Sequence, residues 1–79
     1  MTIDPRILAI AASTLTTKQL IVWEMHHRDG MSFRAIAITT DLARTTVTDR
    51  YDGACRTLRK HGIMVAPDGR PYLAEQEPA

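Results

Sequence analysis

"SFRAIAITTDLARTTVTDRY", Ser32 to Tyr51, is the stretch whose reading decides the fold. A short apolar pattern, "FRAIAI", stops at "TTD" and restarts beyond Leu42 with an arginine and a cluster of threonines. Ser32 suits the N-cap of the first piece, because a serine oxygen accepts from the free N–H groups of a first helical turn. Thr39, Thr40 and Asp41 are poor helix formers, so the spacing predicts that this helix ends there after barely two turns. Aspartate tolerates the left-handed backbone that a tight interhelical turn needs. Leu42 then plugs the core, and a long helix is expected from about Arg44 to Lys60. In it Val47, Tyr51, Ala54 and Leu58 recur at i, i+4, i+7 and i+11, one buried stripe, and Gly62 follows as the stop.

Working outward, Asp4 and Pro5 are an N-cap and a first helical position, so "PRILAIAA" opens a short helix with Ile7, Leu8 and Ala11 on one face. "STLT" is expected to break it. Thr16 and Gln19 fit a capping box and start a helix through about Arg28. Ile21, Val22 and Met25 fall on one side of it and Leu20 and Trp23 elsewhere, which predicts a helix sandwiched between others, with Trp23 in the core. Asp29-Gly30 ends it. Beyond Gly62, "IMVAPDGRPYL" sets apolar residues either side of Pro67-Asp68-Gly69-Arg70, a hairpin with Pro71 at an edge or outside the ladder. "AEQEPA" reads as a frayed tail. The expected class is mainly α: a three- to four-helix bundle over residues 1–62, a small hairpin over 63–73 and a flexible tail over 74–79.

A chain of 79 residues makes one domain that buries only roughly 60% of its unfolded surface. Cys55 is its one cysteine, so no internal disulfide forms, and Cys55 reads as a small buried residue beside the core stripe. Tight helix packing or self-association is left as the source of stability. His26 and His27 lie about 100° apart on a helix and do not share a ligand well, so packing or exposure is expected of them rather than metal. No nucleophile, base and orienter can be assembled, and no glycine loop cradles phosphate. The expectation is a non-enzyme without cofactor or metal. Apolar runs are too short for a membrane span, Asp4 and Pro5 stand where a signal peptide carries positive charge, and the lone thiol suits the cytoplasm.

Charge is unevenly spread. Residues 44–61 hold Arg44, Arg50, Arg56, Arg59 and Lys60 against Asp49 and Asp52, while residues 1–43 carry four charges of each sign. Residues 62–79 hold Arg70 against Asp68, Glu75 and Glu77. Such a local positive footprint suits nucleic acid. It also suits a solvated helix face.

Short helix, tight turn and long basic helix form a helix-turn-helix pattern. "LTTKQLIVWEMHHRDGMSFRAIAITTDLARTTVTDRYDGACRTLRK", residues 15–60, resembles region 4 of bacterial sigma factors and their sigma-like relatives. The matches are Leu15-Thr16, Val22, Met25, Gly30, Ser32, Ile36-Ala37, Leu42, Thr46-Val47, Ala54 and Leu58. The chain departs from that pattern at Thr40, where leucine is usual, at Asp41, where glycine is usual, and at Ala43, where a hydroxyl N-cap is usual. The missing cap leaves the helix start to DNA or to the Thr45 and Thr46 hydroxyls. A sigma factor also needs a promoter-melting region for which 79 residues have no room, so the resemblance implies a free-standing DNA-binding module. "LRKHGIMVAPDGRPYL" resembles, in addition, the end of a winged-helix recognition helix with its wing, which would bring Arg70 to the minor groove or the phosphates. A hairpin that only covers the core fits equally well.

With the Val47 stripe inward, Thr45, Asp49, Asp52, Gly53, Arg56 and Lys60 are expected outward. Arg44, Thr45, Thr48 and Asp49 are the base-edge candidates, and the resemblance implies base contacts at the same four. Arginine pairs with guanine, threonine bonds or packs on a thymine methyl, and aspartate accepts from cytosine. Ser32 and Arg34 are expected at the DNA backbone. Arg56 and Lys60 are further phosphate contacts, with Thr46, Arg50 and Arg70 as additional ones, Arg50 equally able to snorkel. Gly53 allows close approach or is merely tolerated. Three threonines in four positions are not explained by helix propensity; short hydroxyls at a groove-facing helix start explain them. The leading expectation is a sequence-specific double-stranded DNA-binding protein, a small repressor-like regulator or a recombination-accessory factor. A homodimer is compatible, with Ile3, Ile7, Leu8 and Ile10 as its face or as core. The alternative is an interaction module that imitates sigma region 4 to engage RNA polymerase or an anti-sigma partner.

Overall fold

Asp4 accepts from the Arg6 N–H and Pro5 occupies the first turn, and together they start α1, Pro5–Thr14. The computed structural model describes residues 3–76. Thr16 accepts from the Gln19 N–H while Gln19 reaches back to the Thr16 N–H, a complete capping box that opens α2, Thr17–His27. Ser32 accepts from the Ala35 N–H and opens α3, Phe33–Thr40, which ends at Asp41 in the left-handed region with φ 56° and ψ 41°. The long helix α4 is Arg44–Lys60. Beyond Gly62, at φ 82°, strands β1 (Ile63–Val65) and β2 (Pro71–Leu73) pair antiparallel with Ile63 opposite Leu73, Met64 opposite Tyr72 and Val65 opposite Pro71. The Gly69 N–H closes the turn on the Ala66 carbonyl at 2.8 Å. Pro71 joins the pairing at the turn end of an edge strand, where its missing N–H is tolerated.

The core has two parts. Ile3, Ile7, Ala11, Leu15, Trp23, Ala54, Leu58, Ile63 and Leu73 form one, and Val22, Ile36 and Val47 the other, with Tyr51 packed against both. α4 therefore supplies the spine: Val47 at one end, Ala54 and Leu58 at the other, Tyr51 at the seam. α2 is buried on two sides as expected, Trp23 into the first cluster and Val22 into the second. Full burial of each such aliphatic or aromatic side chain stabilises by roughly 1.5–3 kcal/mol. No side chain among the described residues leaves a buried nitrogen or oxygen without a partner.

Several local expectations are corrected. α1 runs through Ser13 and Thr14 because both hydroxyls donate to the Ile10 carbonyl, at 3.0 and 2.7 Å. Thr39 and Thr40 stay helical, with the Thr40 hydroxyl donating to the Ile36 carbonyl at 2.6 Å. Back-bonding of this kind satisfies a hydroxyl inside a helix that propensity alone would end. Ile21 is 48% exposed rather than packed beside Val22. Ile3 and Ile7 are buried and Leu8 and Ile10 pack on the same cluster, so these four belong to the core. Ala74–Gln76 form a short 3-10 turn, whose Glu75 pairs with Arg6 at 3.2 Å, instead of fraying; residues 77–79 of the expected tail lie outside the described residues. Ile63 and Leu73 make the hairpin part of the core.

Candidate nucleic-acid interface

The turn between α3 and α4 spans only residues 41–43, and it is built by two backbone bonds. The Asp41 and Leu42 N–H groups donate to the Ile38 and Ala37 carbonyls at 3.4 and 3.0 Å. Leu42 packs against the second core cluster, which fixes where α4 starts. Seventeen residues give α4 a length of about 25 Å.

The start of α4 is unlike the starts of its neighbours. Ala43 has the extended backbone of an N-cap, φ −64° and ψ 144°, but makes no side-chain cap. The Val47 N–H is the first to find a helical partner, the Ala43 carbonyl at 3.1 Å. The N–H groups of Arg44, Thr45 and Thr46 therefore face outward without a partner among the described residues. Neither the Thr45 nor the Thr46 hydroxyl supplies the missing cap; being inside the helix, each sits beyond the N–H groups that need it.

Of the four base-edge candidates, Arg44, Thr45 and Asp49 are exposed at this end. Thr48 is half-buried, and its hydroxyl donates to the Arg44 and Thr45 carbonyls at 3.2 and 3.0 Å. Ser32 and Arg34 are exposed at the start of α3, although the Ser32 oxygen is already engaged with the Ala35 N–H at 3.1 Å. Arg56 and Lys60 are exposed on α4, and Thr46 and Arg50 are half-buried. Arg59, counted in the charge but assigned no contact from the sequence, is also exposed. About 100° round the helix from Leu58, it lies off the buried stripe, so its exposure was legible from the helical period. Gly53 does not face open space: a Cβ there would lie 2.9 Å from the Gln19 side-chain amide nitrogen.

Arg6 is held by Asp4 at 2.9 Å and by Glu75 at 3.2 Å, Arg28 by Glu24 at 2.6 Å and Asp29 at 3.2 Å, and Arg70 lies 3.8 Å from Asp68. Arg34, Arg44, Arg50, Arg56, Arg59 and Lys60 have no ion pair among the described residues. Lys18 on α2 is likewise without an ion pair among the described residues, as are Asp41, Asp49 and Asp52, so the unpaired cations are concentrated on α4 and the start of α3 without being confined there. Arg70 is set apart from them by its own carboxylate neighbour.

Behind α4 an aromatic cluster joins His26, His27, Phe33 and Tyr51, with the His26 and Phe33 rings stacked at 4.4 Å. The His26 Nδ1 donates to the Met31 carbonyl at 2.8 Å, and His27 Nε2 shares a hydrogen bond of 2.7 Å with the Tyr51 hydroxyl. Burial, with the neighbouring His26 adding to it, lowers the His27 pKa to about 4. Burial likewise pushes the Tyr51 hydroxyl and the half-buried Cys55 thiol above their ordinary ranges. Both histidines are thus packing groups that tie the end of α2 to the middle of α4. The link spans 24 residues, and no local pattern announces it.

A cleft of about 510 Å³ lies elsewhere, between the end of α2 and the hairpin turn. Its Asp4, Arg28, Asp29, Asp68 and Arg70 are engaged in ion pairs. No three His, Cys, Asp or Glu side chains among the described residues converge as a metal would require, and no described helix is long and apolar enough to cross a membrane. Set against family models, curated proteins and solved structures, the chain matches none.

Proposed function

We propose that the protein is a sequence-specific double-stranded DNA-binding protein, a small repressor-like regulator that places α4 in the major groove and acts by occupying its site. The observation that carries this reading is the concentration of unpaired cations on α4 and the start of α3, with Lys18 on α2 also unpaired among the described residues, whereas Arg6, Arg28 and Arg70 each sit beside a carboxylate. A polyanion would satisfy that face. The uncapped N–H groups at the start of α4 add a phosphate-compatible positive pole. In this placement Arg44, Thr45, Thr48 and Asp49 approach base edges. Arg34, Arg56, Arg59 and Lys60 approach the backbone.

One such unit covers only a few base pairs, so useful affinity requires a second copy, clustered sites or a partner. With Ile3, Ile7, Leu8 and Ile10 given to the core, a second copy would have to use another surface. Ile38, 72% exposed on α3, favours a second reading, an interaction module that engages RNA polymerase as sigma region 4 does. Binding selection from a random duplex pool separates the two. An enriched motif supports the first, and its symmetry reports the number of copies; recovery of no motif overturns it.

A further inference from the structure

Threonine can address a base through its hydroxyl or through its methyl, and the two choices select different bases. At Thr48 the structure has already committed the hydroxyl proton. It is shared between the Arg44 carbonyl at 3.2 Å and the Thr45 carbonyl at 3.0 Å. Threonine has a single O–H donor, so no proton remains for guanine O6 or N7, adenine N7 or thymine O4. The oxygen is also drawn onto the helix's own backbone, and the β-branch then carries the methyl away from it. Thr45 differs. It lies in the first turn, where no α4 carbonyl stands three or four residues before it, and its hydroxyl makes no bond among the described residues. Thr48 also lies one turn after Arg44 and next to Asp49, the two charged base-edge candidates.

We propose that Thr48 is a methyl reader: its γ-methyl packs on the 5-methyl group of a thymine in the target site, while Arg44, Thr45 and Asp49 make the polar contacts. This rests on the reading of α4 as a groove-binding helix and specifies what one position of that helix recognises. Discrimination would come from burying one methyl group, worth about 0.8 kcal/mol, which is about a fourfold change in affinity.

The test uses the full chain and the duplex recovered by selection, with each thymine replaced in turn by deoxyuridine, which lacks only that methyl. One replacement is expected to weaken the parent protein about fourfold. Thr48→Val, which keeps the methyl and loses the hydroxyl, is expected to lose the same factor as the parent when that thymine is replaced. Thr48→Ser, which keeps the hydroxyl and loses the methyl, is expected to bind the unmodified duplex about fourfold more weakly and to ignore the replacement. Circular dichroism verifies that both variants fold, and the deoxyuridine series on the parent needs no variant. A motif with no methyl-sensitive thymine, or one whose sensitivity Thr48→Ser leaves unchanged, overturns the assignment of Thr48 while leaving the DNA-binding reading in place. Failure of Thr48→Val with retention by Thr48→Ser shows that the hydroxyl reads the base and overturns it too. A selection with no motif overturns both.

Discussion

Ala43→Ser should stabilise the protein, and Ala43→Asp should stabilise it while weakening DNA binding. The magnitude comes from comparison within the molecule. Thr16, at φ −65° and ψ 158°, and Ser32, at φ −70° and ψ 159°, each accept from the N–H three residues on, at 3.2 and 3.1 Å. Ala43, at φ −64° and ψ 144°, already has nearly the same backbone, so a serine there reaches the Thr46 N–H without rearrangement. Capping of this kind is worth about 1 kcal/mol, which in a domain of this size is about 4–8 °C in Tm. Aspartate adds a favourable interaction with the positive helix end, so its Tm gain should be at least as large. If a phosphate occupies the α4 start, the aspartate displaces it and repels its neighbours. Losing one charge-assisted hydrogen bond costs about 1.5–3 kcal/mol, or tenfold or more in affinity. Thermal unfolding followed by circular dichroism and duplex titration at one salt concentration measure the two effects. An unchanged Tm for Ala43→Ser refutes the claim that the α4 start lacks an acceptor. A stabilised Ala43→Asp with undiminished DNA affinity refutes the phosphate.

Leu73→Ala should cost about 2–5 kcal/mol, because Leu73 is only 6% exposed in the cluster that holds Trp23 and Leu58; by the same logic a chain cut after Gly62 should fail to fold, read by denaturant titration. His27, with its pKa lowered to about 4 in the folded state, takes up a proton on unfolding between that value and its ordinary 6.5. Stability should therefore be complete above pH 6.5 and decline as pH falls toward 4, a slope that His27→Gln should flatten in thermal scans. Arg34, Arg56, Arg59 and Lys60 amount to about four phosphate contacts, so log affinity should fall by about 3–4 per decade of salt. A nearly flat dependence would favour the interaction-module reading.

Local chemistry was readable where one residue type answers one backbone need. Thr16 with Gln19, Ser32, Asp41 and Gly62 all sit where their side chains, or the lack of one, predict, and of the stripe of Val47, Tyr51, Ala54 and Leu58 all but the half-buried Tyr51 are buried as the period requires. What failed depended on partners distant in sequence or on alternatives that propensity ignores. Ser13, Thr14 and Thr40 bond back to the helix carbonyls, which no count of helix formers anticipates. What Gly53 faces depends on Gln19, and the histidine pair needed Tyr51. Ile21 fell outside the core because Val22 and Trp23 divide the buried sides of α2 between two clusters, a division that one helical wheel does not contain. Within the candidate site, the sequence indicated which residues point outward but not their engagements. The missing cap at Ala43 was legible, but the commitment of the Thr48 hydroxyl proton and the failure of Thr45 and Thr46 to replace that cap depend on three-dimensional placement.

The central claim is that the first turns of α4 read bases. Asp49 tests it most directly, because a carboxylate facing phosphates is unfavourable unless it accepts from a base amine or orients an arginine that binds one. The measurement is the ratio of affinities for the selected site and a scrambled duplex, at one salt concentration, for the parent and for Asp49→Ala. The account predicts that Asp49→Ala binds the scrambled duplex as well as or better than the parent and loses discrimination at one base pair, so the ratio falls. An unchanged ratio would contradict the placement of α4 in the groove.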